Sequence, residues 1–342
     1  MRALRLAGAL CGVMYLGACG GSTSSPKPAE TGGLRIGLLL DQLREERWQR
    51  DRDLFVSRVE ELHAKVSVKS GDGDPAKQLE QAKALLDEGV KVLVVVPNDL
   101  EKAGDIVKAA AEKHVPVISY DRLIRNADVA LYVSFDNVKV GRMQAEKLLA
   151  KVPKGNYLLL GGSATDYNAR LVRDGQMEVL KPAVDSGDIK IVGDPFVDGW
   201  DPVKARAITD EALKKTPGLV AIVASNDSTA SGAIDALAAA KRAGKVLVSG
   251  QDAELSACQR IVAGTQEMTV YKPLRSLARM AAGEAVSMAK GQSPNSLVKV
   301  NNGAKEVPAH LLDPIAVDKG NLDVTVISDG YHTKAEVYGP PK

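Results

Sequence analysis

The sequence is poor in the residues that usually serve redox chemistry, metal binding and aromatic cores. It contains 3 cysteines, 4 histidines and only 4% aromatic residues. Cys11 and Cys19 fall in the N-terminal segment, which leaves Cys258 alone in the main part of the chain. One cysteine cannot form an internal disulfide framework or a cysteine-based metal site. We therefore expect no metal site and no cofactor.

The sequence also lacks a strong charge bias and the motifs of nucleotide binding or catalysis. Its net charge is +2, which indicates neither a nucleic-acid partner nor a polyacidic one. We find no Gly-x-Gly-x-x-Gly, no phosphate-binding Gly-x-x-x-x-Gly-Lys-[Ser/Thr], no nucleophile elbow and no His-x-x-x-His pair. Two carboxylates, Asp121 and Asp252, could in principle serve glycosidase chemistry. The simpler interpretation is that both accept hydrogen bonds, so we expect no catalytic residues and no enzyme.

The N-terminal segment is typical of an exported lipoprotein. Arg2 and Arg5 precede an apolar run over residues 6–16, and Leu16-Gly-Ala-Cys19 follows. This run is shorter than a membrane-spanning helix requires, and a charged start with small residues at its end indicates a signal peptide. Its end resembles the bacterial lipobox. We expect a signal peptide over residues 1–18, a lipidated Cys19 and a flexible tether over 19–33. The protein would then lie in the periplasm or at the cell surface, anchored to a membrane.

The rest of the chain alternates between buried strands and amphipathic helices. The apolar run 36–40 predicts a first strand, and the β-branched run 92–96 predicts a strand buried on both faces. The alternation starts again at residue 157, and two successive sets of this kind predict an α/β fold with two doubly wound parallel-sheet lobes. We expect a first lobe over 34–136 plus 273–308 and a second lobe over 137–272 plus 309–332.

Polar side chains follow many of the predicted strands. Because the carboxyl ends of parallel strands meet at the same edge of a sheet, two facing sheets would bring these residues into one cleft. An N-cap explains some of them, and Asp136 and Asp227 in particular fit that role. Caps do not explain the arginines, the lysine or the two tryptophans, Trp48 and Trp200. The stretch around Trp48 could equally be a solvated first helical turn with a half-buried ring.

The set combines hydrogen-bond donors, acceptors and two flat rings. Neutral polyols need this mixture, because each hydroxyl both donates and accepts and the C–H face of a sugar packs on an aromatic ring. A nucleotide site would show more cations and a glycine-rich phosphate loop. The sequence therefore indicates a sugar site.

The same stretches resemble the xylose-binding branch of the ribose/galactose-type (type I) periplasmic sugar-binding family, whose members serve bacterial ABC importers. The resemblance runs from about residue 34 to residue 332. The motifs that carry it are Glu46-Arg-Trp-Gln49, Tyr120-Asp-Arg122, Ser134-Phe-Asp-Asn137, Val197-Asp-Gly-Trp200, Ala224-Ser-Asn-Asp227 and Ser249-Gly-Gln-Asp252. The first and fourth of these are fairly specific to the xylose branch.

The resemblance implies two lobes, joined by a hinge of three crossovers, that close on one pyranose, most simply D-xylose. The crossovers are expected at 135–138, 272–273 and 307–311. Two rings, Trp48 and Trp200, would stack on the sugar. The residues that would hydrogen-bond it are Arg47, Asp121, Arg122, Asn168, Asn226, Asp252 and Lys272.

Two functions from different classes remain open at this point. The first is a monomeric binding lipoprotein that delivers the sugar to an ABC permease. The second is a sensor of the same fold that presents the bound sugar to a membrane receptor kinase. A sugar enzyme is disfavoured by the missing catalytic constellation. A DNA-binding repressor is disfavoured because an export signal stands where a helix-turn-helix would lie.

Overall fold

A computed structural model describes residues 33–296 and 298–339 of the chain. The predicted signal peptide, Cys19 and nearly all of the predicted tether lie outside the described residues. Within the part that is described, no helix is both long and apolar enough to cross a membrane.

The first half of the described chain alternates strands and helices as predicted. Its elements are β1 (Arg35–Leu40), α1 (Glu46–Glu61), β2 (Lys65–Ser70), α2 (Pro75–Asp87), β3 (Val92–Val95), α3 (Gly104–Glu112), β4 (Val117–Tyr120), β5 (Leu131–Phe135) and α4 (Asn137–Lys151).

The alternation continues through the second half. The next elements are β6 (Gly155–Leu160), α5 (Tyr167–Asp185), β7 (Ile189–Gly193), a 3₁₀ turn (Asp198–Trp200), α6 (Pro202–Lys215), β8 (Leu219–Ala224), α7 (Asp227–Ala239), β9 (Leu247–Val248), α8 (Leu255–Ala263) and β10 (Thr269–Tyr271). The last are α9 (Leu274–Ala289), β11 (Val298–Asn301), β12 (Glu306–Leu312), β13 (Ile315–Val317), a π-helical turn (Asp323–Ile327) and α10 (Lys334–Tyr338). The helix α10 was not predicted from the sequence.

The strands form two main sheets and one small one. The first sheet has the order β11-β12-β5-β4-β3-β1-β2, and only its β11–β12 pair is antiparallel. The second has the order β7-β6-β8-β9 and is parallel throughout. The strands β10 and β13 pair with each other in antiparallel fashion. We call the first sheet with α1, α2, α3 and α9 the first lobe, and the second sheet with α4 to α8 the second lobe. This arrangement confirms the predicted fold class.

Each sheet is covered by apolar side chains on both faces, as doubly wound sheets require. On one face of the first sheet, Trp48 and Phe55 of α1 pack with Leu277 of α9. On its other face, side chains of α2 and α3 form a separate core. In the second lobe, α4 and α5 cross closely at Gly141, where the lack of a side chain permits the contact. A Cβ at this position would lie 1.9 Å from the carbonyl oxygen of Val172.

Three links connect the lobes. The first is Asp136 between β5 and α4, the second is residues 272–273 between β10 and α9, and the third is residues 313–314 between β12 and β13. The third was predicted at 307–311, and that prediction is wrong. β12 continues to pair with β5 until Leu312 lies beside Phe135, since its buried Val307 and Ala309 anchor it in the first sheet. The N–H of Asp136 donates to the carbonyl of Leu312 at 3.0 Å, which joins two of the links.

Helix starts show how local sequence fixes these elements. Asp74 caps α2 with Pro75 in its first turn. Asp136 caps α4 by accepting from the N–H of Lys139, as predicted. The predicted cap at Asp227 is wrong. The cap of α7 is Asn226, which forms a reciprocal capping box with Thr229.

Candidate functional site

The nine predicted site residues meet in one cavity between the two lobes, which we call the central cavity. Each lies just after a strand or at the start of the following helix, so the carboxyl ends of both parallel sheets face this space. The lining residues are Glu45, Arg47, Trp48, Asp121, Arg122, Asp166, Asn168, Trp200, Asn226, Gln251, Asp252 and Lys272. The sequence prediction named nine of these lining residues, and it left out Glu45, Asp166 and Gln251.

Arg47 forms ion pairs with three carboxylates. Its Nε donates to Asp51 Oδ2 at 3.2 Å, its Nη1 donates to Asp252 Oδ1 at 3.2 Å, and its Nη2 pairs with Asp121. Asp51 lies one helical turn further along α1, whereas Asp252 belongs to the second lobe. Burial raises the pKa of Asp51 to about 6, although Arg47 and a hydrogen bond from Tyr120 oppose the shift. One guanidinium is therefore oriented from behind by Asp51 and crosses the cleft to Asp252.

Asp121 is held by both its backbone and its side chain. Its carbonyl oxygen accepts from Tyr132 Oη at 3.1 Å, from Ser134 Oγ at 2.5 Å and from Asn168 Nδ2 at 3.0 Å. The same Nδ2 donates to Asp121 Oδ1 at 3.1 Å, which brings Asn168 of the second lobe into the cavity. Burial opposes ionisation of Asp121, but the charges of Arg47, Lys272 and Arg122 together outweigh it, and the pKa lies below its ordinary value. Asp121 is therefore a fixed acceptor.

Asp166 connects Arg122 in the first lobe with Trp200 in the second. Arg122 Nε lies 2.7 Å from Asp166 Oδ2, and Trp200 Nε1 donates to the same oxygen at 3.2 Å. The other oxygen of Asp166 caps α5 by accepting from the N–H of Asn168. Arg122 Nη1 also donates to Asp41 at 2.7 Å. Asp166 is not among the nine predicted site residues, and an Asp that follows a strand is a common N-cap.

Lys272 and Asn226 complete the wall formed by the second lobe. Lys272 is 2% exposed, and its Nζ lies 3.8 Å from Asp252 Oδ1. Burial and the neighbouring Arg47 lower the pKa of Lys272 below its ordinary value. The side-chain oxygen of Asn226 caps α7 by accepting hydrogen bonds from the N–H and the hydroxyl of Thr229. Its amide nitrogen makes no hydrogen bond to any other residue of the described ranges.

The two tryptophans are held by different parts of the structure. Trp48 is packed in the core of the first lobe, with the guanidinium carbons of Arg47 and Arg122 at 4.5 and 5.1 Å from its ring centroid. Both distances are in the range of cation–π contacts. Trp200 lies on the 3₁₀ turn and covers Gly162 so closely that a Cβ there would be 2.1 Å from its ring.

Three of the site residues adopt backbone conformations that side chains disfavour. Asp121 has φ 62°, Trp200 has φ 56° and Asp252 has φ 96°. Non-glycine residues in this region carry strain of order 1–3 kcal/mol each, and such strain concentrates at functional sites. Other non-glycine residues with positive φ, such as His63 and Lys241, lie outside the cavity, so this strain accompanies the site but does not by itself identify it.

The central cavity is narrow and lies between two wider grooves. It encloses about 20 Å³, because its charged side chains pair with one another across the cleft. One groove, of about 810 Å³, runs past Glu45, Trp200 and Glu254. The other, of about 720 Å³, runs past Asp41, Arg122 and Asp166. Burial raises the pKa of Glu45 to about 7, and the nearby charges of Asp252 and Glu254 add to the shift.

The chemistry of this set is that of a binding site for a neutral polar molecule. The lining contains three cations and four carboxylates, one of which, Glu45, has its pKa raised to about 7, together with amide donors and acceptors. Among residues 33–296 and 298–339, no group of three or more His, Cys, Asp or Glu side chains could hold a metal ion.

A site between two doubly wound lobes joined by three links defines a two-lobed ligand-binding protein. The family model described as periplasmic binding protein domain matches residues 36–293, so the chain belongs to that family. This family membership confirms the resemblance noted from the motifs. Its members are binding proteins, so this chain is a binding protein and not an enzyme.

Individual relatives agree with this family. The chain is 50% identical over 320 residues to a D-xylose-binding periplasmic protein of Haemophilus influenzae, covering 93% of this chain and 96% of the relative. It is 34% identical to a multiple sugar-binding periplasmic receptor of Rhizobium radiobacter, covering 87% and 90%. A solved carbohydrate transporter solute-binding protein of Chloroflexus aurantiacus, in complex with D-glucose, is 32% identical with a TM-score of 0.83 and covers 89% of this chain and 98% of its own.

Proposed function

We propose that the protein captures D-xylose in the central cavity and delivers it to an ABC importer. The observation that carries the proposal is that buried donors, acceptors and two rings from both lobes line one cavity. The 50% identity to a D-xylose-binding relative supports the choice of sugar, and the relative with bound D-glucose supports the sugar class.

In this proposal the sugar hydroxyls replace contacts that now join the lobes. Arg47 would release Asp252, and Arg122 would release Asp166, as each turns a hydrogen bond toward the sugar. The exchange is favourable only if every charged group keeps a partner, since an unpaired buried charge is strongly destabilising. Sugar hydroxyls supply such partners because each donates and accepts. The two rings, Trp48 and Trp200, would pack on the C–H faces of the pyranose.

Entry of the sugar requires that the lobes separate, because a space of about 20 Å³ holds no more than a water molecule. We place the rotation at the three links, namely Asp136, residues 272–273 and residues 313–314. The predicted lobe boundaries change accordingly, with the first lobe taking 273–312 and the second starting again at 313. A few residues between packed elements can absorb a rotation of this kind.

The membrane anchor is also part of the proposal. The Leu16-Gly-Ala-Cys19 sequence supports lipidation of Cys19, and residues 20–33 would serve as the tether of a monomeric periplasmic or cell-surface receptor. A second candidate function is that of a sensor presenting the sugar to a membrane receptor. The relative named as a multiple sugar-binding periplasmic receptor favours it.

The direct test is calorimetric titration of the purified protein with D-xylose, then ribose, arabinose, glucose and galactose. Tryptophan fluorescence should change in parallel, because the only two tryptophans line the cavity. Tight binding of D-xylose supports the proposal. Tight binding of another sugar keeps the site and overturns the ligand, and binding of none of them overturns the function.

The site assignment is tested with a matched pair of variants. Asp252→Ala removes a buried carboxylate that contacts Arg47 and Lys272, so affinity should fall about 10- to 150-fold. Asp105→Ala removes an exposed carboxylate in the first turn of α3 and should leave affinity unchanged. Equal affinities in the two variants would place the sugar elsewhere.

A further inference from the structure

Two residues that line the central cavity each carry a buried polar atom without a hydrogen-bond partner among the described residues. Gln251 Oε1 and Trp48 Nε1 are buried and make no hydrogen bond within the described residues. Both residues line the central cavity, where Gln251 is 4% exposed and Trp48 is 2% exposed. Gln251 is not among the nine predicted site residues, and Trp48 was predicted only as a stacking ring.

Such atoms are uncommon in folded proteins. Most buried polar side-chain atoms have a hydrogen-bond partner, because leaving one unpaired destabilises the fold. When a residue that lines a ligand cavity carries such an unpaired atom, the missing partner is expected to come from outside the chain. Here the two atoms are complementary, since an amide oxygen only accepts and an indole N–H only donates.

The unpaired oxygen does not result from a loosely held loop. The carbonyl of Gln251 accepts from the N–H of Asp227 at 2.9 Å, and the carbonyl of Gly250 accepts from Gln144 Nε2 at 3.0 Å. A Cβ at Gly250 would lie 1.9 Å from Asp227 Oδ1, so the backbone there is tightly enclosed. The backbone is fixed on both sides of a side chain that is left unpaired.

We propose that Gln251 is a further sugar-contacting residue, whose Oε1 accepts a hydrogen bond from one sugar hydroxyl while the ring face of Trp48 packs on the sugar. This inference rests on the proposed function. It makes Gln251 a specificity residue, because a site with a buried acceptor rejects an analogue that lacks the matching hydroxyl.

The test combines one variant with a series of sugars. Gln251→Met keeps the length of the side chain but removes the amide, and Gln251→Ala serves as a second variant. Each is titrated with D-xylose and with its 2-, 3- and 4-deoxy analogues, beside the wild type. We expect D-xylose affinity to fall about 5- to 100-fold in both variants. One deoxy analogue that binds poorly to the wild type should bind to the variants as well as D-xylose does.

A structural role for Gln251 would give a different result, and Asn302 provides the control. The amide of Asn302 is buried and fully paired, donating to Ile124 and Ala127 and accepting from Ala304 and Lys305. Asn302→Leu should lower the thermal midpoint of the sugar-free protein and leave affinity nearly unchanged. Gln251→Met should do the reverse, with an unchanged or higher midpoint and a weaker affinity.

The outcomes separate the inference from the function on which it rests. Wild-type binding of D-xylose with unchanged affinity in both Gln251 variants overturns the role of Gln251 and keeps the proposed function. An equal penalty for every deoxy analogue in variant and wild type also overturns it, because no hydroxyl would then depend on Gln251. Absence of binding in the wild type overturns the proposed function itself.

Discussion

The two tryptophans of the central cavity are both buried but are supported in opposite ways. Trp48 belongs to a regular helix, packs into the main core of the first lobe and leaves its N–H unpaired. Trp200 lies on a short turn with a positive φ, outside the five hydrophobic clusters of the described residues, and its N–H is bonded to Asp166. One ring is therefore positioned by apolar packing, and the other by backbone geometry and one carboxylate.

Because of this difference, we expect the two rings to contribute unequally to the stability of the fold and to sugar binding. A side chain embedded in a core contributes to folding whether or not a ligand is present, and its removal leaves a cavity. A ring held on a strained turn contributes little to folding, and its position is maintained for contact with a ligand. We therefore expect substitutions at the two rings to affect the two properties in different proportions.

The largest effect should come from truncating each ring to alanine. Trp48→Ala should lower the free energy of unfolding by about 3–5 kcal/mol, because it opens a cavity in the first lobe. Trp200→Ala should lower it by about 1 kcal/mol, the size of an average substitution. Both should weaken D-xylose binding about 30-fold or more, as loss of a buried aromatic contact does. Urea unfolding and calorimetric titration measure the two quantities.

Trp48→Phe separates the ring from its N–H. It keeps most of the packing and a flat apolar face, so stability and affinity should both fall less than in Trp48→Ala. Equal loss of stability in Trp48→Ala and Trp200→Ala would contradict the comparison, since it would mean that both rings are core residues.

A smaller effect is expected from Gly162→Ala, which acts on Trp200 alone. The added Cβ would lie 2.1 to 2.4 Å from the Trp200 ring, so the ring must move. Affinity for D-xylose should fall about 2- to 10-fold through the lost stacking contact. The control is Gly283→Ala in α9, where a Cβ meets nothing within 4 Å. That variant should gain about 0.5–1 kcal/mol of stability and bind as the wild type does. Unchanged affinity in Gly162→Ala would show that the Trp200 ring is not positioned by this contact.

The sequence predicted the order of elements well because the apolar periodicity that forms each strand and helix is local. It also named nine residues that line the central cavity, because the family resemblance implied them. Eight of them follow strands of the two large sheets, whose parallel strands end at one edge, whereas Lys272 follows β10 of the antiparallel pair. It placed the third crossover too early, because nothing local marks where β12 stops pairing with β5. The pairing register that extends to Leu312 is a property of the folded sheet.

Asp166 and Gln251 were missing from the predicted site because their part in it depends on contacts that form only in the folded protein. Asp166 has a sufficient local role as the cap of α5, so its contacts with Arg122 and Trp200 become visible only in the fold. Gln251 stands out only because its oxygen is buried without a partner, which no sequence pattern reveals. Asp227 shows the converse, since it was predicted as a cap but is a buried acceptor for Gln266 and Thr269.

The smallest effect concerns Glu45, which adjoins the helix that carries Trp48. Burial, with Asp252 and Glu254, raises its pKa in the folded protein from 4.5 to about 7. Between these values the folded protein holds a proton that the unfolded chain has released, so protonation favours folding. The contribution is full below pH 4.5 and is lost as the pH rises to about 7.

Glu45→Gln is neutral at every pH and removes this dependence. Its free energy of unfolding should therefore rise relative to the wild type as the pH increases from 4.5 to 7, as measured by urea unfolding at both ends of the interval. The comparison with the wild type is essential, because burial also raises the pKa of Asp227 to about 7 and that of Glu254 to about 8. Glu112→Gln removes an exposed carboxylate from α3 and reports the general effect of one negative charge. The free energy of unfolding of Glu45→Gln could instead depend on pH in the same way as that of Glu112→Gln. Glu45 would then be in contact with water when the lobes are closed, and the cavity wall that carries Trp48 would be more open to water than the packing of α1 indicates.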